Sequence, residues 1–259
     1  MPVMDEFKEE REALKQGTFK QKLQYFMDYY KWYVIGGIAV AFCAGSLIYH
    51  YVSYKEVTFS VALLNSTELQ SSKEYASAFM EYAGLNPSDQ NISFDTSLAI
   101  TFDADSPEAR QELYYTSREK FNLMVTVGEL DAVISNDELF SHFANSGIFC
   151  DLRPYLSPEQ LEAYEPYFYY VDAPLVAQIS AAELRMDNTF HPEIPDPTKP
   201  ELMEQPVPVG IYVENNEKLT QSFFIRGEGH VVIGMVSNAP HPDTAAKYAE
   251  YLMSAILSE

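Results

Sequence analysis

The sequence has few cysteines and little positive charge. Only two cysteines, Cys43 and Cys150, occur among 259 residues. We therefore expect no Cys-rich metal site and, because Cys43 lies in a long apolar run, no intrachain disulfide. Lysine and arginine number 17 against 38 aspartates and glutamates, giving a formal net charge of -21. Such a surface repels phosphate groups, so we expect no nucleic-acid partner.

The sequence also lacks the short motifs of common enzyme classes. It contains no G-x-S-x-G, no H-E-x-x-H, no Walker loop and no glycine-rich dinucleotide turn. Its five histidines do not pair at metal-ligand spacing. We therefore expect a non-catalytic protein without a cofactor or a metal site.

One segment has no charged residue from Trp32 to Tyr54, in a chain that is 21% charged. A helix of about 20 residues spans the ~30 Å apolar core of a bilayer. Aromatic residues flank the segment, as is typical of membrane interfaces; they are Tyr30, Trp32, Tyr33, Tyr49, Tyr51 and Tyr54. A cleavable signal peptide is the main alternative, but no small-x-small cleavage site follows. We predict a transmembrane helix over residues 32–54.

The charges beside this helix predict its orientation. Residues 1–31 contain four lysines within about 20 residues of the span, whereas only Lys55 lies close on the other side. We expect residues 1–31 to form a cytoplasmic, juxtamembrane helical tail and residues 55–259 an extracytoplasmic domain. The protein would then be a single-pass protein of the cell membrane, with the lipid bilayer as one partner.

Three small residues share one face of the predicted span. Gly37, Ala41 and Gly45 repeat every four residues, a pattern by which two membrane helices can approach closely. A homodimer through this helix is one interpretation. The other is the ordinary use of small residues in membrane helices.

After the span, short apolar runs alternate with amphipathic segments. Strands are predicted at 57–65, 92–102 and 131–135, with helices at 71–85, 106–128 and 137–147 between and after them. This alternation predicts a mainly parallel α/β sandwich. A Pro-rich crossover at 187–208 follows, because six of the 15 prolines lie between Pro192 and Pro208. Two further strands and a closing helix at 242–257 are expected to return to the first sheet.

Three predicted strands end in similar polar pairs: Asn65 with Ser66, Ser135 with Asn136, and Ser237 with Asn238. In open parallel sheets, ligands bind beyond the carboxyl ends of the strands. These six residues are our candidate ligand-binding site. The alternative is that they only cap the following helices, since Ser135 and Glu138 have the spacing of a capping box.

The segment "GELDAVISNDELFSHFANSGIFCDLRPYLSPEQLEAY" (128–164) resembles the bacterial extracellular solute-binding proteins, which have a type 2 periplasmic-binding-like fold. The matching positions are a strand, a helix end and a following turn: Asp131, Ala132, Val133, Ile134, Gly147, Asp151, Leu152, Tyr155 and Leu156. The segment "VVIGMVSNAPHPDTAAKYAEYLMS" (231–254) is similar to a late strand and helix of that family. The resemblance implies one complete lobe of a periplasmic-binding fold, with a reduced or missing second lobe.

Together these features predict a single N-terminal transmembrane helix followed by an extracytoplasmic, mainly parallel α/β sandwich. The expected function is a membrane-anchored binding or protein-interaction module that engages an envelope protein or another ligand. The alternative is the substrate-binding component of an ABC-type transporter, which would recognise a small solute beside a permease.

Overall fold

The computed structural model describes residues 18–53, 55–101, 112–187, 189–213 and 216–257. The chain divides between Tyr54 and Lys55 into two compact units. In the first unit, helix α1 is continuous over Phe19–Ser53. Its segment Lys31–Tyr49 is long and apolar enough to cross a membrane, and none of it is buried within the unit. Signal sequences share these properties, so membrane anchoring remains a prediction.

The second unit, from Lys55 onward, is a mixed α/β structure. Its strands are β1 (Glu56–Leu63), β2 (Ser66–Glu68), β3 (Gln90–Asp95), β4 (Ala132–Asn136), β5 (Phe168–Asp172), β6 (Pro206–Tyr212), β7 (Phe223–Ile225) and β8 (Val231–Met235). Its helices are α2 (Ser72–Ala83), α3 (Glu112–Val127), α4 (Asp137–Asn145), α5 (Pro158–Tyr164), α6 (Ala173–Leu184), α7 (Glu217–Ser222) and α8 (Pro242–Ile256).

Six strands form the central sheet, in the order β3-β1-β4-β8-β6-β5. Strands β3, β1 and β4 are parallel neighbours, as the alternation of strands and helices predicts. The remaining neighbours, β4 with β8, β8 with β6 and β6 with β5, are antiparallel. The prediction of a mainly parallel sheet therefore holds for one half of the sheet and is wrong for the other. Strands β2 and β7 form a separate antiparallel ribbon.

Both faces of the sheet are buried, and β1 is buried from Thr58 to Leu63, ending in three successive apolar residues. Phe59, Val61 and Leu63 point to one core, which also contains Phe79 of α2 and Tyr248 of α8. Ala62 of the same strand contributes to a second core on the opposite face, which contains Phe121 of α3 and Phe140 of α4. Helices thus cover the sheet on both sides.

A close contact between α4 and the sheet fixes the position of this helix. Gly210 of β6 and Gly234 of β8 are paired across the sheet. A Cβ atom at either position would lie 2.7 Å from Cζ of Phe140, so the ring rests directly on the backbone of the sheet. The ring also stacks on Phe149, with 4.4 Å between ring centroids, and a Cβ at Gly234 would lie 2.8 Å from Cδ1 of Phe149. Helix α4 is held here by contacts that only glycine permits.

The C-terminal part of the chain returns to the first sheet, as predicted. Strands β6 and β8 both lie in the six-stranded sheet, and α8 covers one of its faces. The Pro-rich segment before β6 contains one short 3-10 turn at Pro200–Leu202 and is otherwise without regular structure where it is described. Strand β5 and helix α6 lie between residues 164 and 187. The four aromatic residues 167–170 favour sheet core over an exposed aromatic patch, but no helix was predicted in this segment.

Candidate ligand-binding site

A pocket of about 260 Å³ lies at the edge of the sheet where the parallel strands β1 and β4 end. Its wall comprises the turn after β1, the loop that follows β3, Tyr114 of α3, the first turns of α4, and the loop between β7 and β8. Asn65, Ser66 and Asn136 of the predicted site line it. The rule that ligands bind beyond the carboxyl ends of parallel strands thus identifies this edge.

Asn65 builds one side of the pocket by holding the loop that follows β3. Its side-chain oxygen accepts a hydrogen bond from the N–H of Ile100, and its side-chain nitrogen donates one to the Ile100 carbonyl, both at 2.7 Å. Its backbone has a φ of 52°, in the left-handed region that Asn tolerates better than most residues. Asn65 therefore supports the wall of the pocket and uses both ends of its amide to do so.

The other predicted residues of this edge do not cap helices. Asn136 stands at the N-cap position of α4 but makes no side-chain cap hydrogen bond; its Nδ2 instead donates to the Glu228 carbonyl at 3.2 Å. Ser135 donates to the carbonyl of Asn136, so the capping box expected with Glu138 is absent. Ser66 belongs to β2 and donates its hydroxyl proton to the Leu63 carbonyl.

The third predicted pair lies elsewhere. Because β8 is antiparallel to β4, with Met235 opposite Ala132, the carboxyl end of β8 is at the opposite edge of the sheet. There Asn238 donates to the Val125 carbonyl at 2.7 Å, and the N–H of Ser237 donates to the Ile148 carbonyl. The prediction that Ser237 and Asn238 join the other four residues at one edge is therefore wrong.

The loop between β7 and β8 closes one side of the pocket with two glycines. A Cβ at Gly227 would lie 2.6 Å from Nδ2 of Asn136, and a Cβ at Gly229 would lie 2.2 Å from Oδ1 of Asp137. Their φ values of 117° and 95° also favour glycine. The loop can therefore lie directly on the first residues of α4, and it places Arg226 in the wall of the pocket.

Three acidic or basic side chains line the pocket: Glu138 and His142 of α4, and Arg226. Glu138 and His142 are four residues apart and so lie on the same face of α4. Burial lowers the pKa of His142 below its ordinary value; the nearby Glu138 opposes this shift and Arg118 adds to it. At neutral pH the imidazole is therefore uncharged, and the charged groups of the wall are one carboxylate and one guanidinium.

Sequence reasoning did not find Glu138, His142 or Arg226 as site residues. Glu138 and His142 lie in the first and second turns of α4, and Arg226 follows β7, whose last residue pairs with Ser66 but for which no strand was predicted. The sequence "RGEGH" (226–230) contains the one available signal, since two glycines beside an arginine indicate a close backbone approach. Within the described ranges, no group of three or more His, Cys, Asp or Glu side chains is placed to hold a metal ion.

Gly37, Ala41 and Gly45 lie along α1, within its segment Lys31–Tyr49. All three residues are exposed. A Cβ at Gly37 or Gly45 would meet no atom within 4 Å. Their role in helix pairing stays a prediction.

No protein-family model matches this chain, and no curated protein matches it. Among solved structures, iron-bound HitA from Pseudomonas aeruginosa is similar with a TM-score of 0.34 and 11% identity, over 78% of this chain and 84% of that chain. The periplasmic binding protein AttC from Agrobacterium tumefaciens C58, in an open unliganded conformation, gives a TM-score of 0.32 and 12% identity, over 77% and 79%. Scores of this size do not establish a shared fold, and they support no inference about the function of this chain.

Proposed function

We propose that this chain is a membrane-anchored extracytoplasmic binding module whose strand-end pocket takes a ligand without transforming it. The observation that carries the proposal is the pocket itself, which lies beyond the ends of β1 and β4. Concave sites of this kind are where open α/β sheets bind small molecules. The wall combines apolar side chains with a few charged and polar groups, as binding sites usually do.

The hydrogen bonds of the wall favour binding over nucleophilic catalysis. Among the described residues that line the pocket, Ser66 is the single serine, and it donates its hydroxyl proton to the Leu63 carbonyl rather than to a base. Asn65 and Asn136 are likewise bound to backbone carbonyls, of Ile100 and Glu228. These groups keep the pocket in shape, which suits a site that recognises a ligand.

In this proposal α1 holds the module at the membrane, with residues 1–31 in the cytoplasm. Support comes from the apolar segment Lys31–Tyr49 and from the lysines that precede it. The charge distribution agrees with this orientation. Residues 1–31 contain equal numbers of acidic and basic side chains, so that the whole net charge of -21 falls on the part assigned to the exterior.

Ligand binding is tested by thermal shift on the full chain in nanodiscs, against sugars, amino acids, peptides and divalent metals. A ligand of this pocket should raise Tm in the wild type. Ala99→Trp, which fills the pocket, should abolish that rise. Ala177→Trp, the same change at an exposed position of α6, should preserve it. A Tm rise that survives Ala99→Trp would place binding outside the pocket and contradict the proposal.

Topology is tested with engineered cysteines in a chain that lacks Cys43 and Cys150. Ser88→Cys, on the exposed surface of the second unit, should react with a membrane-impermeant maleimide in intact cells. Lys20→Cys, near the start of α1, should react only after the cells are permeabilised. The reverse pattern would show that the orientation is wrong.

A further inference from the structure

The pocket wall brings together one cation and one anion from different parts of the chain. Arg226 is fixed by its backbone, because its N–H donates to the Asn65 carbonyl at 2.9 Å. Its Nη2 donates to the Thr67 hydroxyl at 3.3 Å. Glu138 approaches from the first turn of α4. In the part of the chain that the structure describes, neither side chain forms an ion pair.

The remaining wall limits the size and polarity of a ligand. Leu98, Ile100 and Leu139 supply apolar surface, and Thr96 supplies a hydroxyl group. The volume of about 260 Å³ is below the ~300–1,000 Å³ of sites that take drug-sized ligands. The ligand is therefore a small molecule with a short apolar part.

The charge of the whole domain selects among small ligands. Residues 55–259 carry the entire net charge of -21, so that free anions are repelled and simple cations are attracted. A simple cation, however, would meet the guanidinium of Arg226 inside the pocket. A molecule with one positive and one negative group has no net charge, and both of its charged groups find a partner in the wall.

From this arrangement we propose that the pocket binds a zwitterion of the α-amino-acid type, with its carboxylate on Arg226, its ammonium on Glu138, and its side chain against Leu98, Ile100 and Leu139. The inference rests on the proposed function and names the ligand class of the same site. His142 adds no charge, because its imidazole is neutral at neutral pH.

Calorimetry on the full chain in nanodiscs tests this pairing with three probes of similar shape. L-leucine carries both charged groups, 4-methylpentanoate carries only the carboxylate, and 3-methylbutylamine carries only the ammonium. A hydrogen bond to a charged group contributes about 1.5–3 kcal/mol, which corresponds to roughly 10- to 100-fold in Kd. L-leucine should therefore bind at least about 10-fold more tightly than either analogue.

Two charge-neutralising variants test which residue of the wall binds which charged group of the ligand. Arg226→Gln should weaken L-leucine by about 10-fold or more but should not weaken 3-methylbutylamine, because the variant removes a positive charge that repels this probe. Glu138→Gln should weaken L-leucine similarly but should not weaken 4-methylpentanoate, because it removes a negative charge that repels that probe. The matched controls are Lys73→Gln and Glu81→Gln, which make the same charge changes on the exposed surface of α2 and should alter neither affinity.

The outcomes separate this inference from the proposed function. If L-leucine fails to bind at millimolar concentration while a sugar or a metal binds and is blocked by Ala99→Trp, the zwitterion class is wrong and the pocket proposal stands. Equal affinities for the three probes would also overturn the zwitterion class. If no compound in the thermal-shift screen gives a Tm rise that Ala99→Trp removes, the proposed function itself fails.

Discussion

The buried carboxylate of Asp131 ties His241 to the centre of the sheet. Its Oδ1 accepts a 2.6 Å hydrogen bond from the backbone N–H of His241, and its Oδ2 lies 3.3 Å from Nδ1 of the same residue. Oδ2 also accepts from the N–H of Ser60 in β1 at 2.8 Å. One side chain thus joins β1, the start of β4 and the residue that precedes α8.

Replacement of Asp131 by asparagine should destabilise the domain. The asparagine amide keeps one acceptor oxygen, so its NH2 group must face the N–H of either Ser60 or His241, and that donor loses its partner. We expect the free energy of unfolding to fall by about 2–3 kcal/mol. Urea unfolding of the full chain in mild detergent, followed by near-UV circular dichroism of its tyrosines, measures this change, since the single tryptophan lies in α1.

Asp187→Asn is the matched control for this substitution. Asp187 lies on the exposed surface after α6 and, among the described residues, accepts hydrogen bonds from Thr189. The same change there should alter the free energy of unfolding by less than about 0.5 kcal/mol. Equal effects at both positions would show that the contacts of Asp131 with Ser60 and His241 contribute nothing specific.

A second prediction concerns the two tyrosines of the core between α2 and α8. The hydroxyl groups of Tyr75 and Tyr248 are 2.8 Å apart and buried. Burial raises the pKa of both phenols well above the ordinary value, and for Tyr75 the proximity of Tyr248 adds to the shift. The folded state therefore retains two protons that the unfolded chain releases near pH 10.

Because the unfolded state binds fewer protons above that pH, stability must fall as pH rises. The contribution is complete below about pH 10 and decreases by about 1.4 kcal/mol per pH unit for each group until the folded-state pKa is passed. The double variant Tyr75→Phe/Tyr248→Phe should show a shallower decline between pH 10 and 11.5 than the wild type. Parallel curves of unfolding free energy against pH for the variant and the wild type would contradict this assignment.

The site could be predicted in part because parallel strands place their ends at one edge. Asn65 and Asn136 follow two neighbouring parallel strands, so the rule applies to them directly. The rule fails for Ser237 because the sequence of an apolar strand does not show whether the strand runs parallel or antiparallel to its neighbours. The antiparallel direction of β8 is fixed instead by its pairing with β4 and β6, which lie far from it in sequence.

There are also physical reasons why helix α6 and the bounds of strand β5 could not be predicted. Helix α6, Ala173–Leu184, is apolar on nearly every side, so it shows no amphipathic period from which a helix could be recognised. Strand β5 has five residues and is rich in tyrosine, which favours sheet core over a surface patch but does not define a strand. Burial of Phe168 and Tyr169 shows that it belongs to the core. Residues 102–111, where the helix before β4 was expected to begin, lie outside the described ranges.

A third prediction separates the two roles of Asn65. Alanine at this position removes both hydrogen bonds to Ile100 and must also adopt the left-handed backbone conformation, whereas glycine removes only the hydrogen bonds. We expect Asn65→Ala to lower the free energy of unfolding by about 2–3 kcal/mol. Asn65→Gly should be about 1 kcal/mol less destabilising.

The same pair of variants reports on the pocket. Hydrogen exchange at the Ile100 amide should become faster in both variants, because both remove its acceptor. Exchange at the amide of Leu252, whose carbonyl accepts from Asn216 in a distant part of the domain, should follow only the change in global stability. If Ile100 exchange remained at the wild-type rate in Asn65→Gly, the side chain would not be what holds this wall of the pocket.

The fourth prediction tests the close approach of the β7–β8 loop to α4. Gly227→Ala introduces a Cβ only 2.6 Å from Nδ2 of Asn136, at a φ of 117°. Gly84→Ala, at the C-terminus of α2, also has a positive φ, 72°, but its Cβ would meet no atom within 4 Å. Gly84→Ala should therefore lower the free energy of unfolding only through its left-handed backbone conformation, by about 1–2 kcal/mol.

Gly227→Ala should have the same backbone strain and must also displace the loop or Asn136. We therefore expect it to be more destabilising than Gly84→Ala by about 1–3 kcal/mol. The loop carries Arg226, so this substitution should also weaken ligand binding, whereas Gly84→Ala should leave binding unchanged. Urea unfolding and calorimetry with the same ligand provide both readouts. If the two alanine variants were equally stable and bound ligand equally well, the contact of Gly227 with Asn136 would not position the wall of the pocket.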